Sequence, residues 1–85
     1  MLTYRKIDRH AALVGRMARV RHVDIGEAMA EGRLSAEAYR NAVLRCTRCE
    51  SPEDCVQWLA EHAGGAGSVP RYCRNGQLFA RLQRD

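Results

Sequence analysis

The sequence has 85 residues, of which 46% are hydrophobic and 28% are charged, with a formal net charge of +4. This composition is typical of a globular protein and argues against intrinsic disorder, and the length predicts one helical domain over residues 1–85. A core of this size contributes little net stability, so small domains often recruit a metal or disulfides, and four cysteines suit that role.

The beginning of the sequence predicts a cytoplasmic protein. Its first ten residues lack the apolar core of a signal peptide, and the run from Ala11 to Val14 is too short to cross a bilayer. In a reducing cytoplasm, grouped cysteines are expected to bind a metal or to form a redox centre. If they are oxidised instead, four cysteines can pair in three ways.

The hydrophobic pattern predicts an all-α fold, a compact bundle of four to five short helices around a four-cysteine metal centre, because no run alternates as a strand does. The first helix is expected from about Asp8 to His22. Its inward face carries four apolar residues at helical spacing: Ile7, Leu13, Val14 and Met17. Another side of the same helix gathers four arginines: Arg5, Arg9, Arg16 and Arg19.

Capping residues delimit the next two helices. Asp24 is expected to cap a short helix that runs through Ala30, with Gly32 in the left-handed conformation that ends it. Ser35 is expected to cap a third helix from Ala36 to about Arg45. Four of its residues are expected to face inward, and Cys46 to lie in its last turn: Ala38, Tyr39, Ala42 and Val43.

A fourth helix is expected to begin at Ser51-Pro52, an N-cap followed by proline at the first position, and to stop at Gly64-Gly65. Its predicted apolar arc comprises Cys55, Val56, Leu59, Ala60 and Ala63, with Trp58 at the edge. Asn75 is expected to cap a last helix whose apolar residues include Leu78, Phe79 and Leu82.

The four cysteines follow the pattern Cys46-x2-Cys49-x5-Cys55-x17-Cys73, and all four are the predicted ligands of one metal centre. Four thiolates suit tetrahedral zinc or an iron–sulfur cluster. Cys55 and Cys73 are expected near helix N-termini, where free amides stabilise thiolates. Arginines that could offset the charge of the centre flank Cys46 and Cys73: Arg45, Arg48, Arg71 and Arg74.

Other interpretations of the cysteines remain open. They could serve packing alone, since cysteine is often buried, or Cys46 and Cys49 could form a dithiol redox pair. Such pairs normally begin a helix after a strand, whereas this one follows a helix. Structural zinc sites typically use two Cys-x2-Cys knuckles, whereas this chain has one. A 4Fe-4S cluster is therefore expected, with zinc as the alternative.

Two resemblances accompany this pattern. Cys46, Cys49 and Cys55 are spaced like three of the four ligands in the iron–sulfur loop of endonuclease III-type DNA glycosylases, although the fourth ligand of that family lies upstream. That resemblance supports a cluster and implies no glycosylase activity. The pattern Cys-x2-Cys-x5-Cys-x2-Trp-Leu, followed by Cys73-x-Asn75, resembles a family of small bacterial proteins catalogued as domain of unknown function 6455.

The remaining candidates are interpreted as structural. His10, His22 and His62 are expected to stay outside the site, because the cysteine set is complete without them. Trp58 is expected to pack over the centre or the core. No recognisable catalytic motif is present, so an enzyme is not expected.

The function expected from these residues is electron transfer or redox sensing by a small iron–sulfur protein with a protein partner. The rival is a zinc-stapled adaptor that binds an acidic protein or nucleic acid through the arginine face. A solvated face is the commoner role of such arginines, so nucleic acid is not favoured, and no membrane partner is expected.

Overall fold

The computed structural model describes residues 3–83, which form five helices and no strand. They are α1 (Tyr4–Val20), α2 (Ile25–Ala30), α3 (Ala36–Thr47), α4 (Pro52–Glu61) and α5 (Gly76–Leu82). The predicted all-α class is confirmed. Within residues 3–83, none of the helices combines the length and apolar character needed to cross a membrane. Residues 1, 2, 84 and 85 of the predicted domain lie outside the described residues.

The first helix begins at Tyr4, so the predicted start at Asp8 is wrong. Thr3 provides the cap, because its hydroxyl accepts a hydrogen bond from the Lys6 amide at 3.1 Å. The helix ends at Val20, before the predicted His22, since His22 takes a left-handed conformation with φ of 62°. Thr3 is a good capping residue, and the sequence signal for the true start lies there.

The next two helices begin at the predicted residues. The Asp24 carboxylate accepts from the Glu27 amide at 2.9 Å, and the Ser35 hydroxyl accepts from the Ala38 amide at 3.0 Å. Gly32 has a φ of 76°, as expected of the residue that follows α2. The third helix runs two residues past the predicted Arg45, to Thr47.

The last two helices begin where predicted but without the predicted caps. Ser51 makes no side-chain capping bond, and α4 ends at Glu61, before Gly64. Its apolar arc is narrower than expected, because Cys55 and Leu59 are buried whereas the other three members are exposed: Val56, Ala60 and Ala63. Packing against α1 covers only one side of this helix.

Asn75 precedes α5 but does not cap it. Its side chain is 3% exposed and crosses to α3, where its amide nitrogen donates to the Ala42 carbonyl at 2.9 Å. Its amide oxygen accepts from Arg45 Nε at 2.8 Å. A buried amide is stable only when its polar atoms are paired, and this pairing ties the start of α5 to the end of α3.

The core lies mainly between α1 and α3, with α4 and α5 closing it. Phe79, Leu59 and Val14 are its largest fully buried side chains. Burying a side chain of this size stabilises the fold by about 1.5–3 kcal/mol. The three side chains come from α1, α4 and α5, so each of these helices contributes to the stability of the core. The expected inward residues Leu78, Phe79 and Leu82 are all buried.

Long-range hydrogen bonds fasten the loop between α4 and α5. Arg21 Nη1 donates to the Ala66 carbonyl at 3.1 Å, and the Ala66 amide donates to the Val20 carbonyl at 3.0 Å. Gly65 lies against the His22 ring with a φ of 117°, and a Cβ there would stand 2.8 Å from a ring carbon. The loop that leads to Cys73 is therefore anchored to the end of α1.

The Asn75 bridge predicts a specific stability effect. Asn75→Ala is expected to lower the free energy of unfolding by about 1–3 kcal/mol, because it removes one buried and one partly buried hydrogen bond and leaves Arg45 without this acceptor. Urea denaturation of the purified protein measures the change. Asn41→Ala, at an exposed position of α3, is the control and should change it by less than about 0.5 kcal/mol. Equal effects of the two substitutions would contradict the bridge.

Candidate metal centre

All four cysteines line one small internal cavity. Its volume is about 20 Å³, which exceeds what one water molecule needs. Apolar side chains form most of the remaining wall: Leu13, Val14, Met17, Tyr72 and Phe79. The predicted ligands, which are spread over 28 positions from Cys46 to Cys73, therefore come together at a single place in the fold.

Each cysteine is positioned by the end or the beginning of a helix. Cys46 lies in the last turn of α3, and the Cys49 amide donates to the Cys46 carbonyl at 3.0 Å in the turn that follows. Cys55 lies in the first turn of α4, with its amide bonded to the Ser51 carbonyl at 2.9 Å. The Cys73 amide bonds to the Pro70 carbonyl at 3.0 Å, in the turn before α5.

All four cysteines are free, so no disulfide ties these segments together. Within residues 3–83, no three side chains of His, Cys, Asp or Glu form a group that would hold a single metal ion as they stand. The four thiols thus line the same cavity, but their sulfur atoms are not arranged around a single ion.

Burial dominates the electrostatics of the thiols. Desolvation, followed by repulsion from Cys55, Cys49 and Cys73, raises the pKa of Cys46 from 9.0 to about 12. Desolvation and repulsion from Cys73 and Cys49 raise the pKa of Cys55 to about 11, with Arg16 opposing the shift. Burial also raises the pKa of Cys73, although a backbone hydrogen bond from Asn75 opposes it. Without a cation these thiols are neutral near pH 7.

The arginines around the site differ from the predicted set. Arg16 of α1 is the arginine whose charge lowers the pKa of Cys55. Arg45 is engaged with Asn75, and Arg48 and Arg71 have exposed side chains. Of the predicted arginines, Arg74 lines the cavity, although the residue as a whole is exposed. Helical spacing assigned Arg16 to a solvated face, but its side chain is half-buried.

His10 belongs to the site, contrary to the prediction that all three histidines stay outside it. The residue is 3% exposed, and its Nδ1 lies 3.3 Å from Cys46 Sγ. Burial and the charges of Arg9 and Lys6 lower the pKa of His10, which favours the neutral ring. The sequence contains the missing signal, since His10 falls between Ile7 and Val14 at the spacing of the inward face.

The other two histidines and Trp58 lie away from the cavity wall. Trp58 packs against the core and stacks on His62, with ring centroids 4.0 Å apart and planes 18° apart. His62 Nδ1 is also 2.8 Å from the Trp58 carbonyl. Of the two places predicted for Trp58, the structure shows the core. His22 is exposed and lies against Gly65.

Tyr72 is a further site residue that the sequence did not single out. It lines the cavity, and its carbonyl lies 3.8 Å from Cys49 Sγ. Its hydroxyl is buried, and among residues 3–83 it has no hydrogen-bond partner. Burial and the nearby cysteines raise its pKa, so the hydroxyl is a neutral donor. An unpaired buried hydroxyl costs about 1–3 kcal/mol, which an acceptor placed in the cavity would offset.

The four arginines predicted to form one face of α1 are divided between different grooves. Arg5 and Arg9 line a groove that also reaches Lys6, His10 and Cys49. Arg16 and Arg19 line another groove, beside Leu59 of α4 and Ala63, which follows that helix. A cysteine lines the first of these two grooves, whereas Arg16 in the second acts on Cys55 through its charge.

The chain belongs to a family of unknown function (DUF6455), whose model matches residues 1–85. The family resemblance predicted from the cysteine pattern is thereby confirmed. Comparisons with curated proteins and with solved structures give no match. The likeness to the endonuclease III loop stays a prediction.

The raised pKa values predict the alkaline reactivity of the thiols. In the metal-free protein, Cys46 and Cys55 should titrate near 12 and 11, whereas in urea both should titrate near 9. Because only the thiolate reacts, iodoacetamide at pH 9 should modify Cys46 more slowly in the native protein than in urea, on the order of a hundredfold. Mass spectrometry of the peptides measures each rate. Superimposable pH profiles with and without urea would contradict the buried arrangement.

Proposed function

We propose that this member of the family is a small cysteine-ligated metalloprotein that holds a 4Fe-4S cluster through Cys46, Cys49, Cys55 and Cys73. Its proposed role is electron transfer or redox sensing with a protein partner in the cytoplasm, and we propose no enzymatic reaction of its own. The observation that carries the proposal is the single cavity lined by all four thiols. When bound, the cluster supplies a one-electron redox couple.

The chemistry of the donor set supports a thiophilic centre. Four sulfur donors with no carboxylate among the cavity-lining residues select soft metal centres over magnesium or calcium. Thiols lose their protons when they bind a metal, so a cationic metal would oppose the rise in pKa that burial causes at Cys46 and Cys55. Binding would also join the end of α3, the start of α4 and the turn before α5, and therefore stabilise the fold.

The separation of the thiols favours a cluster over one zinc ion. With Zn–S bonds of about 2.3 Å, the sulfurs of a tetrahedral site stand about 3.8 Å apart and touch one another. Within residues 3–83, no three of the thiols form such a group as they stand, although all four line the same cavity. A cluster accepts ligands that stand farther apart than those around one ion, so this arrangement supports it.

The surrounding side chains have definite roles in this proposal. Leu13, Val14 and Phe79 exclude water from the cavity, which lowers the local dielectric and influences the reduction potential. The Tyr72 hydroxyl is available as a hydrogen-bond donor to a sulfur of the centre. His10 is positioned to donate Nδ1–H to the Cys46 thiolate once that thiol has lost its proton.

Metal analysis tests the proposal directly. Protein purified anaerobically is expected to be brown, to absorb broadly near 400 nm, and to contain iron and sulfide in equal amounts. Cys73→Ser should lose the colour and most of the iron, because it removes a ligand from the segment before α5. Arg71→Ser, an exposed substitution in that segment, is the control and should retain both. If the analysis finds one zinc per chain and no sulfide, the cluster proposal is wrong and the zinc-stapled adaptor is the better description.

Tyr72→Phe tests the hydroxyl separately from the ligands. The cluster should still assemble, but its reduction potential should fall, because a hydrogen bond that stabilises the more negative, reduced state is lost. Protein-film voltammetry measures the shift. Tyr39→Phe, at a half-buried tyrosine of α3 outside the cavity wall, is the matched control. An unchanged potential in Tyr72→Phe would rule out the hydroxyl as a donor to the centre.

A further inference from the structure

A basic groove of about 420 Å³ lies directly beside the cysteine cavity. Three of its lining residues are cations from the first turns of α1, namely Arg5, Lys6 and Arg9, and among residues 3–83 no carboxylate lines it. All three side chains are exposed. The groove is therefore a concentrated positive surface that solvent and partners reach freely.

Two contacts connect this groove with the thiols. Cys49 lines both the groove and the internal cavity, so it is shared by the two. His10 also lines the groove, while its Nδ1 lies 3.3 Å from Cys46 Sγ. Two of the four proposed ligands are thus within one residue of this surface, which gives a docked molecule a short route to the cavity.

We propose that this groove docks an acidic electron-transfer protein, whose carboxylates pair with Arg5, Lys6 and Arg9 and whose redox group is brought to the side of Cys49. This inference rests on the proposed function. The partner gains one electron as the centre loses one, or the reverse, and no bond forms or breaks. Electron-transfer partners typically meet over small interfaces and depend on charge for their encounter rate.

The charges around the groove fit carboxylates on a protein surface. Arg9 has one acidic neighbour, Glu53, at 3.8 Å, and both side chains are largely exposed, so this pair is weak and open to exchange. Stable binding to duplex DNA commonly uses six to ten phosphate contacts, about twice the number of cations here or more.

The test measures how fast the reduced, cluster-loaded protein is oxidised by hexacyanoferrate(III), an anionic probe that imitates an acidic partner. The groove variant is Arg5→Gln/Lys6→Gln/Arg9→Gln. The control variant, Arg19→Gln/Arg40→Gln/Arg81→Gln, removes the same charge from exposed positions outside the groove. Stopped-flow rates are compared at low and high ionic strength, with the cationic tris(phenanthroline)cobalt(III) as a second probe.

At low ionic strength, the groove variant should react with hexacyanoferrate(III) on the order of tenfold more slowly than the unsubstituted protein, and the control variant should change much less. High salt should remove the difference, and the cationic probe should react faster with the groove variant. Equal changes in the two variants would overturn the proposal, because only the net charge would then matter.

Two competitors distinguish the class of partner. A polyglutamate peptide should slow the hexacyanoferrate(III) reaction of the unsubstituted protein but not that of the groove variant. If a single-stranded oligonucleotide of equal charge slows the same reaction more strongly than polyglutamate does, the groove binds nucleic acid and the assignment of an acidic protein partner is wrong. Iron and sulfide analysis comes first. If the protein contains no cluster, both the proposed function and this inference are wrong. If the protein contains the cluster but its oxidation rate does not respond to the groove substitutions, only this inference is wrong.

Discussion

Four thiols, those of buried Cys55 and half-buried Cys46, Cys49 and Cys73, converge on one largely apolar cavity, and their convergence ties the other parts of the fold together. Cys46 and Cys55 are held by helix termini, and Cys49 and Cys73 by tight turns, so the cavity exists only while three segments of the chain stay together. Burial raises the pKa of Cys46, Cys55 and Cys73, which keeps these thiols neutral without a cation. A soft metal centre would replace this unfavourable desolvation with metal–sulfur bonds.

Polar contacts between distant segments hold the cavity in place. Asn75 joins the turn after Cys73 to the end of α3, next to Cys46. Arg21 and Val20 hold the loop that precedes this turn. In a domain with a small core, such bonds fix geometry that apolar packing alone leaves adjustable, and the centre would add a further tie between the same segments.

Local signals in the sequence predicted the helices better than the surroundings of the site. Asp24 and Ser35 were predicted as caps because a cap depends on residues two or three positions away. The four cysteines were predicted to lie together because of their residue type and spacing. Asn75 was expected to cap α5, and its long-range pairing with α3 overrode that local preference. The contacts of His10 and Tyr72 were missed because both arise from segments far apart in the chain.

X-ray absorption spectroscopy of anaerobically purified protein is the decisive test for the cluster, because it reports the atoms around each metal. At the iron edge, we expect sulfur neighbours and a second shell of iron, with the signal lost when Cys46, Cys49, Cys55 or Cys73 is replaced. A zinc edge with four sulfurs at about 2.3 Å would retain the ligand set and contradict the cluster. The absence of stoichiometric metal from a folded protein would contradict the metal centre itself.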